Sequence, residues 1–294
     1  MKRKKQFVSD KQEWLFDVSS FELSEPPVSP IHKPIWTENK ARLIERYLNL
    51  FVFITKHGSY IDAFAGPQEV DKPEMWSAKL VMESEPRRLR HFYLFEKDKE
   101  KVKRLRELKR SLPQICQGGG SREVRIYSGD SNTGIQELLQ TGCIKPKEAT
   151  FCLLDQRTFE CQWATIEALA KYKSSGYKIE LFYFLANAWL DRALAAQKDT
   201  EVLDKWWGRG DWKLLRSMNA YGRAAVFVDR FKEEFRYKSV KQWPIFEKAN
   251  GGGNIMYFMI HATDHYKIAP DLMSRAYEQA VFRGKGYDQI SLFE

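Results

Sequence analysis

Short apolar runs alternate with amphipathic stretches along most of this chain. Apolar positions between Lys40 and Leu48 recur at helical spacing, whereas residues 59–63 form a compact run that predicts a strand. The pattern then predicts a helix near 78–83, a strand at 91–95, a helix at 99–111, a strand at 124–127, a helix at 132–140, a strand at 150–154, a helix at 163–172 and a strand at 179–185. This alternation favours a mostly parallel α/β sheet with right-handed crossovers, and a ligand at its carboxyl edge.

The alternation breaks at residues 187–217, where four tryptophans accompany basic residues in a pattern that predicts helices. The tryptophans are Trp189, Trp206, Trp207 and Trp212. This helical insertion either forms a substrate wall over the ligand edge or packs on the domain without a substrate role. A helix at 220–235 follows, and segments 238–246 and 255–261 predict a C-terminal β-hairpin across a glycine-rich turn. A helix at 270–281 completes the predicted elements.

At 294 residues the chain can hold one large α/β domain with an insertion, or two small domains. We expect one domain at 36–282, between a basic irregular arm at 1–35 and a flexible tail at 283–294. Hydrophobic residues make up 43% of the chain, and no apolar run approaches the roughly 20 residues of a membrane helix. No signal peptide is visible and the four cysteines lack paired spacing, so we expect a cytoplasmic protein without a membrane, zinc site or disulfide. The net charge of +9 permits a polyanionic partner.

The stretch 60–67 joins an apolar strand to a turn of small residues. The strand ends near Asp62, and Phe64, Ala65 and Gly66 follow in the turn. Small residues let a backbone approach a ligand closely, and an acid at the carboxyl end of a strand can orient that ligand. The segment therefore indicates either the first strand and turn of a nucleotide-binding fold or a buried strand that runs into an ordinary turn.

Acids also follow the next three predicted strands. They are Glu96 after the second, Asp130 after the third and Asp155 after the fourth. A carboxylate at a strand end can accept hydrogen bonds from both hydroxyls of a ribose, which is the role predicted for Glu96. The five-strand α/β run closed by a β-hairpin also resembles the plan of class I S-adenosylmethionine-dependent methyltransferases. That resemblance implies that Asp130, with Ser131, lies near the adenine amino group and Asp155 near the transferred methyl group. Together these acids predict a nucleotide-type ligand.

Several stretches match the motifs of one known family. They are Trp36-Thr37 with Lys40, 60–67, Phe95-Glu96-Lys97-Asp98, Gly129-Asp130, 153–155 and 256–263. In these motifs, over about residues 34–282, the chain resembles the three-Cys-motif partner proteins, which carry the Rossmann-like fold of class I methyltransferases. The resemblance implies S-adenosylmethionine as cofactor, bound by Asp62, Phe64, Ala65, Gly66, Glu96, Lys97, Asp130 and Ser131. It also implies a partner, the genomically associated three-Cys protein that resembles radical-S-adenosylmethionine enzymes.

Two departures from the family pattern concern the candidate site. Gln68 stands where a second glycine usually follows, and Asp155-Gln156-Arg157-Thr158-Phe159 replaces an acid followed by proline and an aromatic residue. In amino-methylating relatives that motif holds an amine and stacks a flipped base on the aromatic ring. By resemblance, Asp155 positions the acceptor amine, Gln156 supplies a second polar contact and Phe159 the stacking face. The alternative is an inert site.

The sequence from His261 to His265 contains two imidazoles with Asp264 between them, which invites a metal-binding interpretation. The group lies where a predicted strand ends, so its side chains need not share one face. A structural role is favoured, and no metal is predicted.

The segment 289–293 resembles the peptide that docks on the bacterial sliding clamp. In such a peptide Leu292 and Phe293 enter an apolar pocket while Gln289 makes a polar anchor. The alternative is that Leu292 and Phe293 pack back onto their own domain.

The function expected from these features is S-adenosylmethionine-dependent methyl transfer to a nucleic acid, with DNA favoured because of the clamp-like segment. The alternative is a non-catalytic binding module of the same fold, acting with the three-Cys partner or on DNA. Gln68 and the changed sequence after Asp155 favour that module. A nicotinamide-dependent oxidoreductase is disfavoured, because the chain lacks the full G-x-G-x-x-G motif of such enzymes.

Overall fold

The computed structural model describes residues 35–69, 71–117, 119–247, 253–278 and 280. The predicted N-terminal arm up to residue 34 and the predicted tail lie outside these ranges, and so does the clamp-like segment 289–293. Within the described ranges, the helices are too short or too polar to cross a membrane.

Strands and helices alternate through the described ranges. The strands are β1 (Gly58–Asp62), β2 (Leu89–Glu96), β3 (Glu123–Ser128), β4 (Thr150–Leu154), β5 (Glu180–Ala186), β6 (Ser239–Phe246) and β7 (Ile255–Thr263). The helices are α1 (Ile35–Thr55), α2 (Ser77–Glu83), α3 (Lys99–Ser111), α4 (Ser131–Gln140), α5 (Trp163–Lys171), α6 (Leu190–Ala196), α7 (Thr200–Trp207), α8 (Ala220–Phe235) and α9 (Ile268–Tyr277). Short 3-10 helices span Pro73–Met75 and Trp212–Ser217.

The strands form a seven-stranded sheet in the order β3-β2-β1-β4-β5-β7-β6. β1 to β5 are parallel, and β7 runs antiparallel between β5 and β6. The predicted fold is therefore confirmed: a Rossmann-like, class I methyltransferase-like sheet with a C-terminal β-hairpin and a helical insertion. The strand order reverses between β1 and β4, and in open α/β sheets ligands bind outside the carboxyl ends of the strands at such a reversal.

α1 is longer at both ends than the helix predicted between Lys40 and Leu48. The residues after Leu48 are rich in aromatic and β-branched types, which have modest helix propensity, but Phe51 and Val52 are buried and favour the helix through packing. The Tyr47 ring lies 4.9 Å from the ring of Phe182 on β5. Through this contact the buried face of α1 packs against the sheet.

The helical insertion after β5 packs into the domain through its tryptophans. Trp206 and Trp207 on α7 are fully buried, and the indole N–H of Trp206 donates to the Tyr183 hydroxyl at 2.9 Å. The guanidinium carbon of Arg230 on α8 lies 3.5 Å from the ring centroid of Trp163 and 4.3 Å from that of Trp207. The hypothesis that Trp206 and Trp207 form a substrate wall is therefore wrong, because neither ring is available to a base.

Candidate functional site

The carboxyl ends of β1 and β4 bring two buried acids to the reversal of the sheet. Asp62 is the last residue of β1, and Asp155 directly follows β4. The two strands pair in parallel, with Asp62 in register with Leu153. Only 1% of Asp62 and 8% of Asp155 is exposed. The parallel sheet thus gathers both acids at the edge where a ligand is expected.

Asp62 is held by donors from its own segment. The Tyr60 hydroxyl donates to Oδ2 at 2.8 Å, and the backbone N–H of Phe64 donates to Oδ1 at 3.0 Å. Burial raises the pKa of Asp62 to about 7, the two hydrogen bonds oppose that rise, and the charges of Asp155 and Glu96 add to it. The carboxyl group therefore changes its protonation state near neutral pH.

Asp155 forms a buried ion pair with Lys40 of α1. The Lys40 ammonium lies 2.7 Å from Oδ1, and 1% of Lys40 is exposed. The same ammonium lies 5.0 Å from the ring centroid of Phe184 and 4.8 Å from that of Tyr257, within the range of cation–π attraction. Gln68 Nε2 donates to the other oxygen of Asp155 at 3.3 Å. Both carboxylate oxygens of Asp155 are thus engaged by the protein's own side chains.

Lys40 belongs to one of the family motifs, but the motif alone gave it no predicted place in the site. A local feature of the sequence could have indicated its role: Lys40 lies one helical turn before Ile44, on the buried face of α1. A charged side chain in an apolar helical stripe points to a buried partner, because an isolated buried charge is too costly. The partner lies 115 residues along the chain. Sequence periodicity carries no information about a pairing at that separation.

Glu96, at the end of β2, holds the turn that follows β1. Its Oε2 accepts from the backbone N–H of Gly66 at 3.1 Å, and its Oε1 accepts from that of Asp98 at 2.8 Å. A Cβ atom on Gly66 would come within 2.2 Å of Glu96 Oε2. The turn also bonds through Ala65, whose N–H donates to the Phe95 carbonyl at 2.9 Å. A side chain at this position would therefore displace the Glu96 carboxylate from the Gly66 amide.

The turn after β3 lies beside Glu96. The N–H of Gly129 donates to the Glu96 carbonyl at 3.0 Å. The exposed Asp130 caps α4, and its Oδ1 accepts from the backbone N–H groups of Asn132 and Thr133. Ser131 is 7% exposed at the start of the helix, and Lys97 is exposed next to Glu96. The residues predicted to bind a cofactor therefore lie along one edge, although Lys97 has no direct contact described there.

The space between the β1 turn and Asp155 is small. It is a cavity of about 10 Å³ whose lining includes Gln68 and Trp76, room for about one water. The indole of Trp76 donates to the Ala65 carbonyl at 2.6 Å, which fixes that wall. Glu96 and Gly66, predicted for the nucleoside end of S-adenosylmethionine, bond each other here. The space beside Asp155 would admit a group larger than a water only if Gln68 released Asp155.

Gln156 and Phe159 do not lie at the acceptor side of Asp155. Gln156 is 1% exposed, and its Oε1 accepts from the backbone N–H of Cys161 at 2.9 Å. The ring of Phe159 packs edge-on at 4.9 Å from Trp206 and is 9% exposed. Neither side chain is placed to contact a base, because both serve the packing of the loop after β4. The aromatic rings close to the ion pair are those of Phe184 and Tyr257.

His261 belongs to a buried polar cluster. Its Nε2 lies 2.8 Å from Glu180 Oε1, and Glu180 also accepts from the hydroxyls of Tyr47 and Thr263. Within the described ranges, no group of three His, Cys, Asp or Glu side chains is arranged to hold a metal ion. The cluster joins α1, β5 and β7.

No family model and no curated protein matches this sequence. Among solved structures, protein LPL1258 from Legionella pneumophila strain Philadelphia 1, described with family model DUF519, is 10% identical with a TM-score of 0.46 over 86% of this chain and 96% of that one. A DUF574 family protein from Streptomyces avermitilis MA-4680 is 11% identical with a TM-score of 0.41, over 78% and 83% of the two chains. Both likenesses are distant, so the fold assignment rests on strand order and direction.

Proposed function

We propose that this protein binds S-adenosylmethionine at the carboxyl edge of its sheet and transfers the methyl group to a nucleic acid, with DNA as the favoured substrate. One observation carries the proposal: the Glu96 carboxylate at the end of β2 contacts the Gly66 amide of the β1 turn. An acid beside a small-residue turn is what a ribose and its neighbouring atoms require at this edge. When bound, the cofactor would supply an electrophilic methyl group.

In this proposal the chain's own residues bind the cofactor and orient the acceptor amine. Glu96 accepts the ribose hydroxyls, and its two backbone bonds hold the carboxylate in place beforehand. Asp62, through Phe64, sets the path of the β1 turn. Asp130 lies at the adenine end. Asp155 orients an acceptor amine on the oxygen that Gln68 now occupies, while Lys40 holds the other oxygen.

We also propose that the chain is a three-Cys-motif partner protein and acts with the three-Cys protein of that system. The matched motifs support this because they converge in space. Lys40 contacts Asp155, and the segments that contain Gly66, Glu96 and Gly129 contact one another. Motifs that are far apart in sequence and adjacent in the fold are expected to serve one site.

The second candidate is a non-catalytic binding module of the same fold. It is favoured by the engagement of both Asp155 oxygens and by the small cavity beside them. In this alternative the Lys40–Asp155 pair is a structural contact, and the fold presents surfaces to the three-Cys partner or to DNA.

Calorimetry with S-adenosylmethionine and with its demethylated product separates the two candidates. Glu96→Ala removes the charge-assisted hydrogen bonds to the ribose, so the wild type should bind more tightly than this variant by about 2–4 kcal/mol. Glu100→Ala, an exposed acid on the adjacent helix, is the matched control and should bind like the wild type. Absence of binding by the folded wild type at millimolar cofactor would overturn the methyltransferase proposal and leave the binding module.

We further propose that 289–293 docks on the bacterial sliding clamp, which would place the protein on DNA in the cytoplasm. The support is the spacing of Gln289, Leu292 and Phe293, which provides a polar anchor and two apolar side chains for a groove.

A further inference from the structure

Helix α3 carries a concentrated positive charge on its exposed surface. Its sequence has seven basic and two acidic residues among thirteen. Its apolar residues, Val102, Leu105 and Leu108, are all buried against the domain. The exposed surface of this helix is therefore charged and contains no apolar side chain.

Four of the basic residues form one stripe. Lys99, Lys103, Arg106 and Arg110 follow one another at four, three and four residues, a spacing that places them on one side of a helix. At 1.5 Å per residue the stripe is about 16 Å long. All four are exposed. Glu100 and Glu107 lie on the adjacent side of the helix.

The stripe has no carboxylate partner in the described part of the chain. Other helices differ, since Lys79 pairs with Glu83, Lys171 with Glu167 and Lys205 with Glu201. The helix dipole does not explain the stripe. Lys99 directly follows the helix cap Asp98 and opposes the dipole, whereas Arg110 lies in the last turn, where a basic side chain is favourable. Lys103 and Arg106 lie between these turns, so the dipole accounts for only one of the four charges.

We propose that the stripe Lys99, Lys103, Arg106 and Arg110 is a binding surface for the phosphate backbone of a nucleic acid. Duplex DNA carries one phosphate about every 3.4 Å of axis on each strand, so a stripe about 16 Å long faces several consecutive phosphates. A membrane surface is the weaker match, because membrane-binding helices insert exposed apolar side chains and the exposed side of α3 has none.

The position of the stripe links it to the candidate site. α3 begins three residues after Glu96, so the stripe starts beside the cofactor edge and runs away from it. A strand bound along α3 would lead toward the carboxyl edge of the sheet. The choice of nucleic acid as partner rests in part on the proposed function. The existence of a surface that binds anions is inferred from the charges of α3 alone.

The test compares two charge-reversal variants of equal net charge. The first is Lys103→Glu, Arg106→Glu and Arg110→Glu on the stripe. The matched control is Lys147→Glu, Lys198→Glu and Lys232→Glu, at exposed lysines on other elements. Binding to a DNA duplex of about 30 base pairs is measured by fluorescence anisotropy between about 50 and 200 mM salt. The stripe variant should bind at least about 10-fold more weakly than the control, and its salt slope should fall by about 2–3.

Equal weakening of the two variants would overturn the proposal, because it would show a response to net charge alone. Unchanged binding of the stripe variant would overturn it as well. So would stripe-dependent binding to anionic phosphatidylserine vesicles in the absence of duplex binding. Calorimetry with S-adenosylmethionine on the same variants keeps the two proposals distinct. Stripe-dependent duplex binding without cofactor binding would overturn only the methyltransferase proposal. Cofactor binding without stripe-dependent duplex binding would overturn only the proposal that the stripe binds nucleic acid.

Discussion

The carboxyl group of Asp62 is bonded by two donors and is still difficult to ionise. The Tyr60 hydroxyl and the Phe64 N–H both stabilise the charged form, but the loss of water around a fully buried group outweighs them. The pKa in the folded protein is about 7, whereas an aspartic acid in an unfolded chain titrates at about 3.9. The difference couples protonation at the β1 turn to the stability of the fold.

This coupling predicts a pH dependence of stability with a definite sign. Between the two pKa values the folded state binds more protons than the unfolded state, so stability falls as the pH rises through about 4 to 7. Asp62→Asn keeps an oxygen for the Phe64 N–H and removes the titration. Relative to this variant, the wild type should lose up to about 1.4 kcal/mol of unfolding free energy per pH unit in that window. Urea unfolding between about pH 5 and pH 8 measures the difference.

The control for Asp62 is Asp71→Asn, an exposed acid in the segment after β1. Its stability difference from the wild type should stay nearly constant over the same pH range, because its carboxyl group remains in water. A wild-type to Asp62→Asn difference that does not change with pH would show that Asp62 is ionised throughout.

For individual residues, the sequence predicted which acids lie at the carboxyl edge better than it predicted what those acids contact. Asp62, Glu96 and Asp155 were found because parallel strands end at one edge, so acids at strand ends must gather there. The state of Asp155 was not predictable, since it depends on Lys40 and Gln68, which approach it from other segments. Pairing of this kind is set by packing of whole elements.

Among the elements, α1 is fastened to the sheet by polar contacts as well as by apolar packing. Lys40 reaches Asp155 near one end of the sheet, and Tyr47 reaches Glu180 at the start of β5. Two such contacts from one helix fix its rotation and its position along the sheet. The helix thereby brings the Lys40 ammonium to Asp155 at the candidate site.

We expect the Lys40–Asp155 pair to behave as a coupled unit. Lys40→Met leaves the Asp155 carboxylate buried with only Gln68 as donor, which should cost about 3–5 kcal/mol of unfolding free energy. Asp155→Asn in the same protein removes the unpaired charge, so the double variant should be more stable than the sum of the single effects. Chemical unfolding of the four proteins measures the coupling.

Tyr47→Phe supplies the comparison on the same helix. Tyr47 lies seven residues after Lys40, about 10 Å along the helix, and contacts a different acid. Its effect should add to that of Lys40→Met within about 0.5 kcal/mol. A Lys40–Asp155 cycle that is equally additive would contradict the coupling, and would indicate that the variants act through α1 as a whole.

Element types could be predicted where local signals and tertiary packing agree. α3 begins after the cap Asp98 and ends at Ser111 as the pattern indicated. α1 extends to Thr55 because burial of Phe51 and Val52 overrides their weak helix propensity. The hypothesis that the tryptophan-rich insertion forms a substrate wall failed for a related reason. Composition cannot distinguish an aromatic ring on the surface from one stacked beneath Arg230.

At the scale of the molecule, the net charge is +9, and the helices of the described ranges differ in how their basic side chains are paired. Many basic side chains pair with acids one helical turn away, whereas the exposed stripe on α3 does not. Net charge alone predicted only that a polyanion is permitted. Only the positions of the basic residues in the fold identify which surface could bind a polyanion, because the total charge carries no positional information.

The clamp-like segment is the second route by which the whole protein would reach DNA. A short peptide that orders on docking should bind with about micromolar affinity, roughly 8 kcal/mol. Burial of each apolar side chain is worth about 1.5–3 kcal/mol, so Leu292 and Phe293 should supply most of the binding free energy. Leu292→Ala with Phe293→Ala should therefore abolish measurable binding to purified bacterial sliding clamp, as followed by titration calorimetry or pull-down.

The matched control is Asp288→Ala, directly before the segment, with Ser291→Ala inside it. This variant should bind the clamp nearly as well as the wild type, because neither side chain is predicted to fill the apolar pocket. Both variants should melt at the wild-type temperature and bind S-adenosylmethionine alike, since the prediction places Leu292 and Phe293 in the clamp. Equal retention of the two variants on the clamp would show that the match of 289–293 to a clamp peptide is coincidental. A lower melting temperature for Leu292→Ala with Phe293→Ala would instead show that these side chains pack on their own domain.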